Sequence, residues 1–590
     1  MFFLKYCNLY ETIGYNFTWM VDLSNSIPKD PRLPIGVDDY KDLIDKNCLY
    51  VDKTSLIKEF WEEGALVTLI TRPRRFGKSI TLSMLRYFFE KTEQSTAYLF
   101  EKMVIWQEEE FRKIQGTYPV IFISFKDIKA TTWKQAYLEL KGLLAEEVRR
   151  TLKPLLPMMD DDYKTTYQSL ITKTADEVDF NGSLLFITKV FKECLGKNTI
   201  ILVDEYDTPI THAYVHNYYD QMIEFMRQTL SKALKGNSQL HRGLMTGVVR
   251  TAKDGILSGL NNPDIYTMLD GGYSDKFGFT ENEVDALLLN FNYSNKKEEL
   301  KSWYNGYVVG SKHPVSTKIY NPWSVLQYIK NGCIPETYWA NTGSTDLLER
   351  LISEADEITQ KELKLLLEGN SLENKKINQD VILLDLDKEN REPWSFLFFA
   401  GYLTASNHIF QDKKHYYTLS IPNEEILELY KKLVQTAISK KFTTNKLDEL
   451  LKALITGNID ALNTLLEEFI NSMCSFHDLT QDSPERSLHM FVLGLLALLS
   501  ERYTIKSNLE SGKGRYDIAM YPKKENDLAI IIEFKKGKDS NLEKLTEEAL
   551  NQITINKYDT SLKDFGYKGK ILCYGIATFK KQLLAKMKLI

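Results

Sequence analysis

A chain of 590 residues is too long to fold around one core, so two to four domains are expected. Its 43% hydrophobic and 26% charged residues exclude a disordered or collagen-like chain, and its formal net charge of −5 excludes a uniformly basic nucleic-acid coat. The six cysteines, Cys7, Cys48, Cys194, Cys333, Cys474 and Cys573, include no Cys-x-x-Cys pair, which argues against a zinc site or disulfide framework and fits a reducing cytoplasm.

The apolar opening Met1-Phe2-Phe3-Leu4 is broken by Asn8 and Glu11 and lacks a basic start and a small-residue cleavage site, so it makes a poor signal peptide. Residues 1–32 are expected to be an N-terminal extension, with Met20 as an alternative start. No apolar run reaches the roughly 18 residues that cross a bilayer, so no membrane partner is expected. Leu66–Thr71 reads as a buried strand, followed by a Pro/Arg/Gly loop and the helical pattern Ile80–Phe89. Pro119–Phe125, Thr199–Val203 and Gly243–Val249 are further buried strands with helical stretches between them. That alternation predicts a multidomain α/β chain whose first part, residues 33–270, is a parallel sheet covered on both faces. Helical patterns dominate residues 271–480, at Glu281–Leu289, Asp346–Ala355, Glu424–Ser439 and Leu447–Ile470. The polar stretch Asp478–Pro484 reads as a linker. Residues 481–590 are expected to form a small α/β domain: helix Glu485–Leu499, paired strands around Asp517 and Glu533, helix Leu542–Tyr558 and strand Lys570–Ala577. Residues 485–590 carry 19 Lys and Arg against 13 Asp and Glu, a basic excess where a polyanionic substrate would need it.

Arg72-Pro73-Arg74-Arg75-Phe76-Gly77-Lys78-Ser79 lies between a strand and a helix, the context a P-loop requires. Backbone N–H groups around Arg75, Phe76 and Gly77, with the helix N-terminus, would hold the phosphates of ATP. Lys78 would contact the β- and γ-phosphates, and the Ser79 hydroxyl would ligate Mg²⁺. Arg72 stands where the first glycine is usual, so the match is degenerate; a basic loop capping a core helix is the plain alternative. The second piece is the apolar strand Ile200–Val203 closed by Asp204 and Glu205. Asp204 would hold the metal and Glu205 would orient or activate the attacking water, unless both acids merely cap the next turn. Both pieces in this order favour a nucleotide site. Arg250, just past a strand, is evenly balanced between a γ-phosphate contact and a solvated strand end. His212 and His216 lack the acid partner of a zinc protease and read as packing or surface residues.

Near the end, Tyr516-Asp517 closes one short strand, and Glu533-Phe534-Lys535 closes the intensely apolar Ala529–Ile532. Alternation along a strand puts Glu533 and Lys535 on one face, and a paired neighbour would bring Asp517 beside them. Two carboxylates there would bind a hard cation such as Mg²⁺, with Lys535 beside the attacking water. Strand ends often carry exposed charges, so this motif alone is weak. His489, in an apolar helix, reads as a core or rim histidine.

The chain resembles bacterial AAA-ATPase-like proteins fused to a PD-(D/E)xK nuclease-like domain. The resemblance is carried by Leu33–Gly36, Tyr50–Thr54, Arg72–Ser79, Asp204–Asp207, Thr246–Val248, Ser258–Asn262, Tyr304–Tyr307 and Tyr320–Pro322, then by Ser483–Glu485, His489–Phe491, Ser507–Gly512, Gly514–Asp517 and Glu533–Lys535. It spans residues 33–579, and Arg-Pro-Arg-Arg-Phe-Gly-Lys-Ser is typical of the family; Arg250 departs from it. Tyr304-Asn305-Gly306-Tyr307 is read first as a turn between aromatics. The resemblance implies a P-loop NTPase sheet, with Asp517 and Glu533 as metal ligands and Gln552 touching substrate or orienting Lys535. Glu485 or Glu510 would add a further carboxylate. It implies an ATPase with a Mg²⁺-dependent nuclease-like domain acting on nucleic acid, DNA more than RNA, possible as a homo-oligomer. The alternatives are a nucleotide-gated switch whose C-terminal domain binds without cutting, and a scaffold with two silent sites.

Overall fold

The computed structural model describes residues 32–250, 263–339, 346–353, 356–379, 393–473, 491–492, 494–495, 497–511, 514–524, 526–537, 541–556, 562, 567–579 and 582–590. The first sheet contains β1 (Val67–Thr71), β2 (Val120–Ser124), β3 (Thr199–Asp204), β4 (Leu240–Gly247) and β5 (Asp264–Tyr266), in the order β2-β3-β4-β1-β5. Every neighbouring pair is parallel. The continuous apolar runs of β1 and β3 follow from this, because helices cover both faces and every residue of both strands is buried. All strands run the same way, so their C-terminal ends share one edge. Ser124 stands opposite Asp204 there, and Thr71 opposite Gly247.

The middle of the chain is mainly helical, with Glu281–Asn290, Lys297–Tyr304, Pro322–Lys330, Asp346–Ser353, Glu357–Leu367 and Glu424–Ser439. The single run expected over Leu447–Ile470 is instead two helices, Thr444–Thr456 and Ile459–Met473, broken at Gly457. Two small antiparallel sheets were also hidden in the sequence. One pairs β6 (Tyr307–Val309) with β7 (Thr317–Ile319); the other has β8 (Leu372–Lys375), β9 (Thr404–Gln411) and β10 (Lys414–Ser420) in the order β8-β10-β9. Asn305-Gly306 makes the turn from the helix ending at Tyr304 into β6.

The last sheet has β11 (Tyr503–Ser511), β12 (Gly514–Pro522), β13 (Ala529–Lys536), β14 (Ile571–Phe579) and β15 (Gln582–Leu589) in chain order. All neighbours are antiparallel except β13 and β14, which are parallel and joined through helix Leu542–Ile555. That helix buries Ile553 against Ala519, Ala529, Ile531 and Cys573 on one sheet face. The opposite face, with Ile518, Met520, Ile530 and Ile532, belongs to one hydrophobic core that also holds Leu363, Leu454 and Leu466 of the middle helices. Asn463 closes this contact: its amide donates to the Ala585 carbonyl at 3.0 Å and its oxygen accepts from the Ala585 N–H at 2.7 Å. The Tyr574 hydroxyl donates to the Leu454 carbonyl at 2.6 Å. The C-terminal sheet is therefore packed onto the middle region rather than tethered to it.

Two candidate sites, one at each end of the chain

The loop after β1 enters helix Lys78–Phe89 through Gly77, whose φ of 85° lies in the left-handed region that glycine occupies without strain. No side chain caps this helix, so its first N–H groups remain available to an anion. Lys78 is only 4% exposed, and its ammonium donates to the carbonyls of Arg72 and Pro73, at 2.9 Å each. Burial pushes the Lys78 ammonium below its ordinary pKa, against the nearby charges of Glu205, Asp207 and Asp204. Ser79 Oγ donates to Asp204 Oδ2 at 2.7 Å, Ser124 Oγ to the same oxygen at 3.2 Å, and Thr246 Oγ1 to Asp204 Oδ1 at 2.8 Å. Burial, then repulsion from Glu205, raises the Asp204 carboxyl. Such a buried carboxylate ringed by hydroxyls, below an uncapped helix, fits a phosphate-bound cation. Glu205 follows with φ of 51°, an unfavourable backbone conformation for a side-chain-bearing residue.

The other arginines of the loop do different work. Arg72 is fully buried and donates to the carbonyls of Thr71, Tyr266, Gly272 and Tyr273. Burial lowers its guanidinium to about 10. It is thus a strut holding the segment after β5, which explains why a large residue stands at the usual glycine position. Arg75, with φ of 66°, lies 4.5 Å over the ring of Trp323. Phe76 meets Tyr307 edge to face at 5.0 Å, and the Trp339 indole N–H donates to the Arg74 carbonyl at 3.0 Å. The middle region therefore grips the outer side of this loop. Between them lies a cavity of about 90 Å³ lined by Arg74, Glu205, Asp207, His212, His216 and Tyr402, among others.

At the C-terminal sheet, Ile518 pairs with Ile532, which sets Asp517 and Glu533 side by side on the face covered by helix Leu542–Ile555. The β12–β13 pairing ends there, and Asp517 Oδ2 takes the Phe534 N–H at 2.7 Å. Glu533 is 3% exposed; its Oε1 accepts from the Gln552 amide at 2.5 Å, and its Oε2 is buried without a partner. Lys535 lies 3.5 Å from Glu533 and also donates to Gln552 Oε1. Burial, then repulsion from Asp517, lifts the Glu533 carboxyl to about 7. Burial also raises Asp517. Two adjacent buried carboxylates with an orphaned oxygen have the donor chemistry of a hard divalent cation.

Asp517, Glu533, Lys535 and Gln552 are thus brought together, as are Lys78, Ser79, Asp204 and Glu205. Among the described residues no group of three or more His, Cys, Asp or Glu is arranged for a metal. The two proposed third carboxylates do not alter this, because Glu485 and the side chain of Glu510 lie outside the described residues, as do His489 and Ser258–Asn262. Arg250 is half-buried at the end of the segment after β4. Sequence reasoning missed Ser124 and the roles of Asp207 and Thr246. Asp207 accepts the N–H groups of Val248 and Val249 at 2.8 and 2.9 Å, fixing the segment after Thr246. His212 and His216, read from the sequence as packing or surface residues, line the cavity beside Glu205.

Comparison with known proteins matches two separate parts of the chain. Residues 34–257 match the family model described as "Predicted AAA-ATPase", and residues 483–587 match the PD-(D/E)XK nuclease superfamily. A protein of Azotobacter chroococcum mcd 1, described as "Uncharacterized protein in vnfD 5'region", is 25% identical over 458 residues, which is 77% of this chain and 79% of that protein. Among the described residues no helix is long and apolar enough to cross a membrane.

Proposed function

We propose, for a chain that fuses an AAA-ATPase-like domain to a PD-(D/E)XK nuclease-like domain, that it binds and hydrolyses ATP and cuts DNA in a Mg²⁺-dependent reaction. The carrying observation is the carboxylate pair of Asp517 and Glu533, in which Glu533 Oε2 is buried and unpartnered. A buried carboxylate oxygen without a hydrogen bond is costly, and a divalent cation between the two acids would remove that cost. When bound, the cation would polarise a phosphodiester and activate water. Lys535 would hold that water, with Gln552 fixing the direction of its ammonium. At the other site Lys78 and the helix N-terminus would take the phosphates, Ser79 and Asp204 the cation, and Glu205 the water. Domain limits near residues 33, 271 and 481, and a cytoplasmic location, belong to the same reading. The test is incubation with linear, circular and single-stranded DNA and with RNA, with and without Mg²⁺ and ATP. Metal-dependent cutting lost in Glu533→Gln supports the proposal.

A second reading is a nucleotide-gated switch or assembly protein whose C-terminal domain binds without cutting. It is favoured by the closed loop, in which Lys78 is tied to Arg72 and Pro73 and the middle region grips Arg74. Nucleotide-dependent change of mass without cutting would select it.

A further inference from the structure

Of the three arginines in the loop after β1, two are already engaged. Arg72 is buried on the carbonyls of Tyr266, Gly272 and Tyr273, and the exposed Arg75 lies over the Trp323 ring on the outer side of the loop. Arg74 differs from both. Its guanidinium is half-buried, and no hydrogen bond or ion pair holds it among the described residues.

The backbone that carries Arg74 is clamped from the middle region. Gly401, with φ of 90°, presses on Pro73 so closely that a Cβ there would lie 2.7 Å from the Pro73 Cβ. Trp339, whose ring meets Tyr402 at 5.1 Å, donates to the Arg74 carbonyl. Held in this way, Arg74 lines the chamber of about 90 Å³ off the C-terminal ends of the strands. Glu205 and Asp207, just after β3, form one wall, Val248, just after β4, forms another, and Tyr402 closes the chamber from the middle region. Parallel sheets place their ligands at this edge. The Asp207 Oδ2 is occupied by the N–H groups of Val248 and Val249. No ion pair joins Arg74 to Glu205 or Asp207 among the described residues, so cation and carboxylates face one chamber without touching.

We propose that Arg74 is a catalytic residue of the nucleotide site, its guanidinium binding the γ-phosphate of ATP across the chamber from Glu205. This rests on the reading of Lys78, Ser79, Asp204 and Glu205 as an ATP-hydrolysing site. In that reaction water adds to the γ-phosphorus, the bond to the β-phosphate oxygen breaks with its electron pair left on ADP, and Glu205 receives the proton of the water. Arg74 exchanges no proton. Its planar fork neutralises charge on two γ-oxygens as the bond to ADP breaks, the part an arginine finger plays in other phosphoryl transfers. The alternative is that Arg74 only balances the charges of Glu205 and Asp207.

The experiment uses the full chain as wild type, Arg74→Ala, Arg74→Gln and Lys78→Ala, each shown to be folded by thermal unfolding. Calorimetry measures affinity for ADP and for the non-hydrolysable imidotriphosphate analogue of ATP. Phosphate release measures hydrolysis, and gel filtration measures ADP trapped with aluminium fluoride, which imitates the phosphoryl group in transfer. Arg74→Ala is expected to bind ADP within about twofold of wild type, to bind the analogue about tenfold more weakly and to release phosphate about a thousandfold more slowly. It should also fail to trap ADP with aluminium fluoride. Should Arg74→Ala not fold, Arg74→Gln is read by the same criteria. Wild-type phosphate release in the variant, or an equal loss of ADP and analogue affinity, would leave a charge-balancing or loop-shaping role and overturn the proposal. A wild type that releases no phosphate, or a Lys78→Ala that binds both nucleotides as wild type does, would sink the nucleotide site itself and this proposal with it. A Lys78→Ala that loses binding beside a silent Arg74→Ala would overturn the role of Arg74 alone.

Discussion

Ile518 stands directly opposite Ile532 across antiparallel strands, and this pairing brings Asp517 and Glu533 together on the helix-covered face of the last sheet. A slip of one residue in either strand would turn that strand's acid to the other face, into the core shared with the middle helices, and part the pair. The long apolar run before Glu533 therefore does more than bury a strand. It fixes the register that makes the acid pair.

The pair should be separable from the fold. Asp517→Asn and Glu533→Gln are each expected to lower metal-dependent cleavage below about one hundredth of wild type, because each removes a ligand charge. Thermal unfolding should stay cooperative, since both acids lie where the β12–β13 pairing ends. Cleavage gels and calorimetric unfolding on the same preparations check both halves.

Acidity should control metal binding through Glu533, which titrates near 7. Protons and cations compete for the same oxygens, so Mn²⁺ affinity is expected to rise as pH increases through about 7 in wild type and to lose that step in Glu533→Gln. The stability effect has the opposite sign. The folded-state value exceeds the ordinary 4.5, so the contribution of Glu533 is fully present below 4.5 and is lost as pH rises through about 7. Glu533→Gln should therefore gain stability relative to wild type as pH rises, which metal-free thermal melts across that range will read.

Lys78→Ala is expected to weaken ATP binding about a hundredfold, because phosphate charge is left uncompensated at the helix start. Glu205→Gln should bind ATP but hydrolyse it poorly. Calorimetry and phosphate release distinguish the two.

The grip of the middle region on the loop predicts coupling. Trp339 bonds the Arg74 carbonyl, while Asn463 and Tyr574 join the middle helices to the last sheet. ATP, compared with ADP, is expected to change cleavage rate or molecular mass, with Glu205→Gln holding the ATP form. A coupling of about 1 kcal/mol would appear as roughly a fivefold change in rate. Cleavage and light scattering with ATP, ADP and no nucleotide check this.

Both candidate sites were legible in the sequence because each lies where an apolar strand ends in charge, a pattern that survives without tertiary information. Asp204 and Glu205 follow Ile200–Val203, and Glu533 and Lys535 follow Ala529–Ile532. What stayed hidden depends on neighbours distant in sequence. Ser124 and Thr246 join Asp204 only through parallel pairing of β2, β3 and β4. Arg72 reads in one dimension only as a departure from the usual glycine and is a buried strut in three. The β9–β10 hairpin turns through Asp412 and Lys413, with φ of 50° and 60°, instead of the Asn-Gly or Asp-Gly that would have betrayed it.

The most direct test of the account is one cleavage assay: full-length wild type and Glu533→Gln, each with ATP and linear, circular or single-stranded DNA, in Mg²⁺ and in EDTA. The account predicts cutting by wild type only with Mg²⁺, and none by a folded Glu533→Gln. Cutting that persists in Glu533→Gln, or a wild type that binds Mg²⁺ and DNA yet leaves every substrate intact, would contradict it.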